Sequence, residues 1–283
     1  MGKTRKIRSV LKSRSTIEGA GVRLKRAFGF DELPELDPFL LFDHFGSDNP
    51  DDYMAGFPWH PHMGIETVTY MIEGSVEHGD SIGNQGIINS GDIQWMTAGG
   101  GIIHQEMPQR HRGLMMGFQL WVNLPASHKM MNPRYRDIKK DQVPEILLDN
   151  GAKIRIISGE VGGVRGVVQD IVVDIQYLDI ELEQFAELLH PVRDGHKVFA
   201  YIFEGSGSFD PEGSKQIEEG HLVVFQDGDS VKISAGAEGV RFFIVSGEPL
   251  GEPVAWQGPI VMNTQKELEI AFQEYRTGTF IKG

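Results

Sequence analysis

The sequence predicts an all-β protein of two β-barrel domains in tandem, ending in one C-terminal helix. Three observations carry that prediction. Short runs of β-branched and aromatic residues are cut by turns drawn from 35 glycines, which is the pattern of strands joined by tight turns. The segment Tyr70-Met71-Ile72-Glu73-Gly74-Ser75 recurs 131 positions later as Tyr201-Ile202-Phe203-Glu204-Gly205-Ser206. Downstream, Gly91-Asp92-Ile93 resembles Gly220-His221-Leu222 129 positions later, so two matches at nearly one offset read as a duplicated β-domain. Finally, Leu268, Ala271, Phe272 and Tyr275 fall at i, i+3, i+4 and i+7, the spacing of one helix face.

Taken in order, residues 7–47 read as short strands and turns. The clearest strand is Phe39-Leu40-Leu41-Phe42-Asp43-His44-Phe45, bounded by Pro38 and Gly46. Ser47 to Pro50 is a loop. Thr67 to Ile72 is a strand that stops at Glu73-Gly74, and turns follow at 80–86 and at Ser90-Gly91-Asp92. Residues 114–124 form a further strand. Pro125 to Asp141 is polar and without apolar periodicity, so the inter-domain connection falls there. The division expected is 1–132 for the first domain, 133–145 for the linker and 146–283 for the second domain. In the closing helix, Thr264 and Glu267 fit a capping box and Gly278 a stop.

Composition narrows the function classes. The net charge of −13 opposes binding to nucleic acid or to an anionic membrane, whose negative phosphates repel such a surface. With no cysteine, disulfides, zinc–thiolate sites and cysteine nucleophiles are excluded, so any metal is held by nitrogen and oxygen. The basic start, Met1 to Arg8, is followed by no apolar region and reads as a solvated leading segment. No run approaches membrane-spanning length, and the expected location is cytoplasmic.

The chemistry concentrates between Pro58 and Pro108. Its two ends, Pro58-Trp59-His60-Pro61-His62 and Ile102-Ile103-His104-Gln105-Glu106, each carry two potential ligands at i, i+2. In a strand, residues two apart share a face, so each end sends a ligand pair into one interior. Three imidazoles and a carboxylate suit iron, nickel, copper or zinc better than calcium or magnesium. Glu66 has the same parity as His60 and His62, and stands as an alternative ligand or as a partner that orients one.

Trp59, Met63, Trp95 and Met96 are candidates for an apolar pocket beside the metal, with plain core packing as the competing role. Asp43 and His44 are candidates for orienting a ligand. Gly99-Gly100-Gly101 lacks the strand-to-helix setting of a phosphate loop and reads as a tight turn before His104. At the repeat offset the second half has Pro191, Arg193, Ile233 and Ala235 where the first has its ligands. Its histidines, His190, His196 and His221, are therefore read as surface or core residues, and the site belongs to the first half alone.

These residues resemble the pirin family of the cupin superfamily. The resemblance runs through Asp37-Pro38-Phe39-Leu40-Leu41-Phe42-Asp43, His60-Pro61-His62, Glu66-Thr67-Val68-Thr69-Tyr70 and Gln94-Trp95-Met96-Thr97-Ala98-Gly99. It continues in His104, Glu106-Met107-Pro108 and Gln119-Leu120-Trp121-Val122-Asn123-Leu124, and ends with Gly247-Glu248-Pro249-Leu250 and Val261-Met262-Asn263-Thr264.

The resemblance implies two tandem cupin domains of jelly-roll type, the first holding one divalent metal. Fe(II) comes first, with Zn, Mn, Ni, Co or Cu as alternatives. His60, His62, His104 and Glu106 take the family's ligand positions, while the general cupin pattern draws its carboxylate from the place of Glu66. Met63 and Gly100 stand where some members carry arginine, which bears on substrate preference and redox tuning. The implied function is a quercetin 2,3-dioxygenase-type oxygenase that opens a flavonol ring with O₂, with Glu106 or Glu66 as general base. The alternative is a metal- or redox-responsive regulator that binds a transcription factor or a metabolic enzyme.

Overall fold

The computed structural model describes residues 3–32, 35–213 and 215–282. The regular structure is mostly antiparallel strand, and among the described residues there is one α-helix, Gln265–Thr277. It divides into two compact units: Ser15–Phe30, Pro38–Lys140 and Leu250–Gly283 form one, and Met1–Arg14, Asp31–Asp37 and Asp141–Pro249 form the other. Each unit is therefore discontinuous in sequence, unlike the contiguous division expected. Among the described residues no helix is long and apolar enough to cross a membrane.

Besides a small two-stranded sheet of Ala255–Gln257 and Ile260–Met262, the unit carrying the histidines has two main sheets among the described residues. The larger runs, in spatial order, Arg134–Ile138, Ile93–Thr97, Ile65–Glu73, Met115–Asn123, Phe39–Ser47, Val22–Phe28 and Arg14–Glu18. The smaller runs Phe57–His62, Ile102–Pro108, Ser75–Asp80 and Gln85–Asn89. Leu24, Phe45, Met71 and Met115 of the larger sheet pack on Val76 and Ile88 of the smaller, so the sheets face each other across an apolar layer. Burial of such side chains stabilises the fold by roughly 1.5–3 kcal/mol each. Both strand orders are open-ended, so the expected barrel is a sandwich that does not close.

Three stretches differ from the sequence expectation. The expected linker contains the strand Arg134–Ile138, which pairs with Ile93–Thr97, followed by a short 3₁₀ turn at Lys140–Gln142. Its charged residues hid an edge strand, where polar side chains are tolerated. Within the basic start, Met1 and Gly2 lie outside the described residues, but Arg5 is fully buried. Its guanidinium donates to the carbonyls of Gly228, His196, Gln226 and Arg193, which is anchoring rather than solvation. On the helix, Leu268 and Ala271 are buried with Met63, Ile260, Met262 and Phe280, while Tyr275 is exposed and lays its ring edge-on to Phe280. The capping box of Thr264 and Glu267 and the left-handed Gly278 stop are both formed.

The second unit is built on a nine-stranded sheet whose main path runs from Ile7–Lys12 to Glu145–Leu147, with a separate small hairpin of Glu160–Val161 and Val164–Arg165. Its core is mainly aliphatic, with Ile154, Ile180, Ile202, Val223 and Ile244 buried alongside Phe209, Phe225 and Phe242. The sequence repeat has a backbone cause: Gly74 and Gly205 have φ of 94° and 69°, and Gly91 and Gly220 have 87° and 77°. Side chains rarely adopt these values, so both copies keep glycine there.

Candidate metal centre

The strand Phe57–His62 pairs antiparallel with Ile102–Pro108, which sets His104 directly opposite His60 and Ile102 opposite His62. A register shift between His104 and Glu106 then brings Glu106 opposite Phe57. The two i, i+2 pairs thus sit on neighbouring strands, and three imidazoles converge. His60 Nε2 lies 3.0 Å from His62 Nε2 and 3.0 Å from His104 Nε2.

The protonation pattern follows from the partners. His60 Nδ1 lies 2.9 Å from the Pro58 carbonyl, which can only accept, so Nδ1 is the donor there and Nε2 is the nitrogen turned to the other two rings. Burial holds His62 and His104 well below the usual imidazole range, and the charge a protonated His60 would carry pushes the same way. Neutral rings with lone pairs aimed at one point suit a cation between them. The ligand atoms of the three rings all lie within 4.8 Å of one another, close enough to share one ion. His60, His62 and His104 are the group that could hold a metal among the described residues.

Glu106 completes the rim of this cluster. Its Oε2 is 3.9 Å from His104 Nε2. Thr69 Oγ1 donates to Oε1 at 3.1 Å, and Gln119 Nε2 donates to both oxygens at 3.2 and 3.1 Å. Glu66 is elsewhere. Residues of a strand alternate in direction, so Glu66 points away from the face on which Thr69 meets Glu106. Its carboxylate accepts from Thr97 Oγ1 at 2.6 Å, and burial raises its pKa above the usual range. The parity that linked it to His60 and His62 is broken at Gly64, whose φ of 78° turns the chain from one sheet to the other.

A pocket of about 790 Å³ opens onto the cluster, with His60, His62 and Glu106 in its lining. Its walls are apolar and aromatic, and include Leu41, Phe57, Trp121 and Trp256. Trp121 meets His62 edge-on at 5.0 Å between centroids. Of the residues expected to line such a pocket, none does. Trp59 is exposed, while Met63, Trp95 and Met96 are core.

Asp43 does line the pocket, gripped by Arg26 Nε at 2.9 Å and Nη2 at 2.8 Å, and burial pushes its carboxyl up to about 6. His44 turns away, stacked on Phe118 and pushed down to about 3 by burial. Gly99 and Gly101 have φ of 51° and 132°, the tight turn expected before His104. In the second unit His190 is buried against Gln176, whereas His221 is partly exposed.

Sequence reasoning gave no role to Thr69, Gln119, Arg26 or Trp256. Gln119 and Trp121 share a strand face, a signal that was readable. Arg26 and Trp256 come from distant stretches and leave no local trace.

Two family models match: Pirin over residues 21–122 and the Pirin C-terminal cupin domain over 177–281. Human Pirin is 41% identical over 279 residues, covering 98% of this chain and 94% of that protein. A Pseudomonas aeruginosa protein whose name carries a provisional quercetin 2,3-dioxygenase assignment is 42% identical over 265 residues, 92% of this chain and 93% of that one. The crystal structure of quercetin 2,3-dioxygenase from Acinetobacter baumannii superposes with a TM-score of 0.91 at 32% identity, covering 98% of this chain and 99% of that one. With two cupin domains, a three-imidazole cluster in the first, and these likenesses along nearly its full length, the chain belongs to the pirin family.

Proposed function

We propose that this protein is a metal-dependent dioxygenase of the quercetin 2,3-dioxygenase type, which opens a flavonol ring with O₂ and releases carbon monoxide. One observation carries the reading: three imidazoles and a carboxylate meet at an aromatic-walled pocket of about 790 Å³, a volume suited to a small organic ligand. The likeness to the solved Acinetobacter baumannii enzyme supports the same reading.

His60, His62 and His104 would hold the ion, with Glu106 as the fourth ligand. A donor set of imidazole nitrogen and carboxylate oxygen suits Fe(II) or another divalent transition metal. A divalent metal bound there supplies Lewis acidity, lowering the pKa of the substrate's 3-hydroxyl.

The chain's own residues do the rest. The aromatic walls hold a flat, apolar substrate and displace water from it. Glu106 Oε2 faces the imidazoles and can take the 3-hydroxyl proton, while Thr69 and Gln119 keep the carboxylate aimed. Protein purified without added metal should contain close to one transition-metal ion per chain. Quercetin bound anaerobically should then yield carbon monoxide when oxygen is admitted. Metal-loaded protein that binds quercetin and releases no carbon monoxide would overturn the assignment.

A further inference from the structure

Gln119 is in contact with both oxygens of Glu106, and its own orientation is fixed from the other side. Trp121 Nε1 lies 2.9 Å from Gln119 Oε1. An indole nitrogen only donates, so the amide must turn its oxygen to Trp121 and its NH₂ to the carboxylate. That NH₂ lies 3.2 and 3.1 Å from the two Glu106 oxygens and 3.1 Å from Thr69 Oγ1. Thr69 spends its single proton on Glu106 Oε1, so it accepts from Gln119. Every bond in the set therefore runs one way, from the indole through the amide to the carboxylate. The indole is at the same time a wall of the pocket and an edge-on neighbour of His62.

We propose that Trp121 and Gln119 are positioning residues that aim the Glu106 carboxylate at the metal, with the Trp121 N–H as the setting element. This rests on Glu106 acting as a ligand, as proposed above. Without the indole proton Gln119 Oε1 loses its donor, and the amide is held only from the carboxylate side, so it no longer fixes where that carboxylate points. Partners that orient a ligand in this way typically carry 10–100-fold in metal affinity. Trp256 walls the same pocket, but its Nε1 donates to the Gly258 carbonyl and lies outside the relay.

The test compares Trp121→Phe, Gln119→Met and Trp256→Phe with the wild-type chain, using Co(II) as the probe. The readouts are cobalt affinity by chelator competition and the visible absorption spectrum of the bound ion, with thermal melting as a check on folding. Trp121→Phe and Gln119→Met should each bind cobalt roughly 10–100-fold more weakly and show an altered ligand-field spectrum. Trp256→Phe should keep both as in the wild type, although its flavonol affinity falls. If Trp121→Phe and Gln119→Met, both folded, keep wild-type cobalt affinity and spectrum, the relay is overturned and the dioxygenase reading is untouched. If either fails to fold, the other decides. Cobalt results as expected, in a protein that makes no carbon monoxide from quercetin, would uphold the relay and sink the dioxygenase.

Discussion

Glu66 and Glu106 are both buried carboxylates on strands of the same unit, yet their surroundings assign them opposite roles. Glu106 takes hydrogen bonds from Thr69 and Gln119 and faces His104, whereas Glu66 is bonded to Thr97 on the other face of its sheet. Replacing each by glutamine separates them. On the proposed assignment Glu106→Gln removes a negative ligand, and cobalt or iron affinity should fall by at least tenfold in a chelator competition. Glu66→Gln should bind metal as the wild type does. Because burial already raises the Glu66 pKa, the neutral amide should also cost little stability. Metal loss in Glu66→Gln with retention in Glu106→Gln would reverse the assignment. At this scale the sequence was legible wherever a role depends on neighbours two residues away. The pairs His60 with His62 and His104 with Glu106 needed only strand alternation. It misled for Glu66, because alternation was carried through a bend that no local pattern announced.

That bend belongs to the scale of elements. Gly64 separates Phe57–His62 from Ile65–Glu73, which lie in different sheets. Its φ is 78°, and a Cβ built there would sit 1.9 Å from the Val261 carbonyl oxygen. Buried Lys129 secures the crossing, its ammonium donating to the carbonyls of Gly64 and Val261 and to Asn123 Oδ1. Gly64→Ala should therefore cost roughly 3 kcal/mol, from backbone strain and overpacking together. Urea unfolding is the measure: the midpoint should drop at unchanged slope. A loss below about 0.5 kcal/mol would show that the bend relaxes freely. Elements were legible when apolar alternation or capping chemistry marked them, as at Phe39–Ser47 and Thr264. The strand Arg134–Ile138 was not, because an edge position asks little of its side chains and leaves a charged sequence that reads as linker.

For the whole molecule, duplication was readable because both copies bend at glycines with positive φ, and such positions admit few substitutes. The exchange of terminal segments between units was not. The strand Ile7–Lys12 pairs with His221–Phe225, and a partner more than 200 positions away leaves no periodicity in either stretch. The same two-unit construction bears on acid stability. His190, buried with Nε2 at 2.8 Å from Gln176 Oε1, has its pKa pushed down to about 4, and His44 in the other unit is pushed to about 3.

An unfolded histidine titrates near 6.5, so between roughly pH 4 and pH 6.5 the unfolded chain binds a proton that folded His190 refuses. The unfolded state then holds more protons, which makes stability rise with pH through this window and fall as acid is added. From pH 7 to pH 5 the His190 contribution is a loss of about 2 kcal/mol. His190→Gln, which cannot titrate, should lose that much less than the wild type over the same interval. Denaturant unfolding of the chelator-treated proteins at both pH values measures the difference. Because His60, His62 and His104 are common to both chains, their acid sensitivity cancels in the comparison. Parallel losses in wild type and His190→Gln would mean that His190 is already protonated in the folded protein at pH 5.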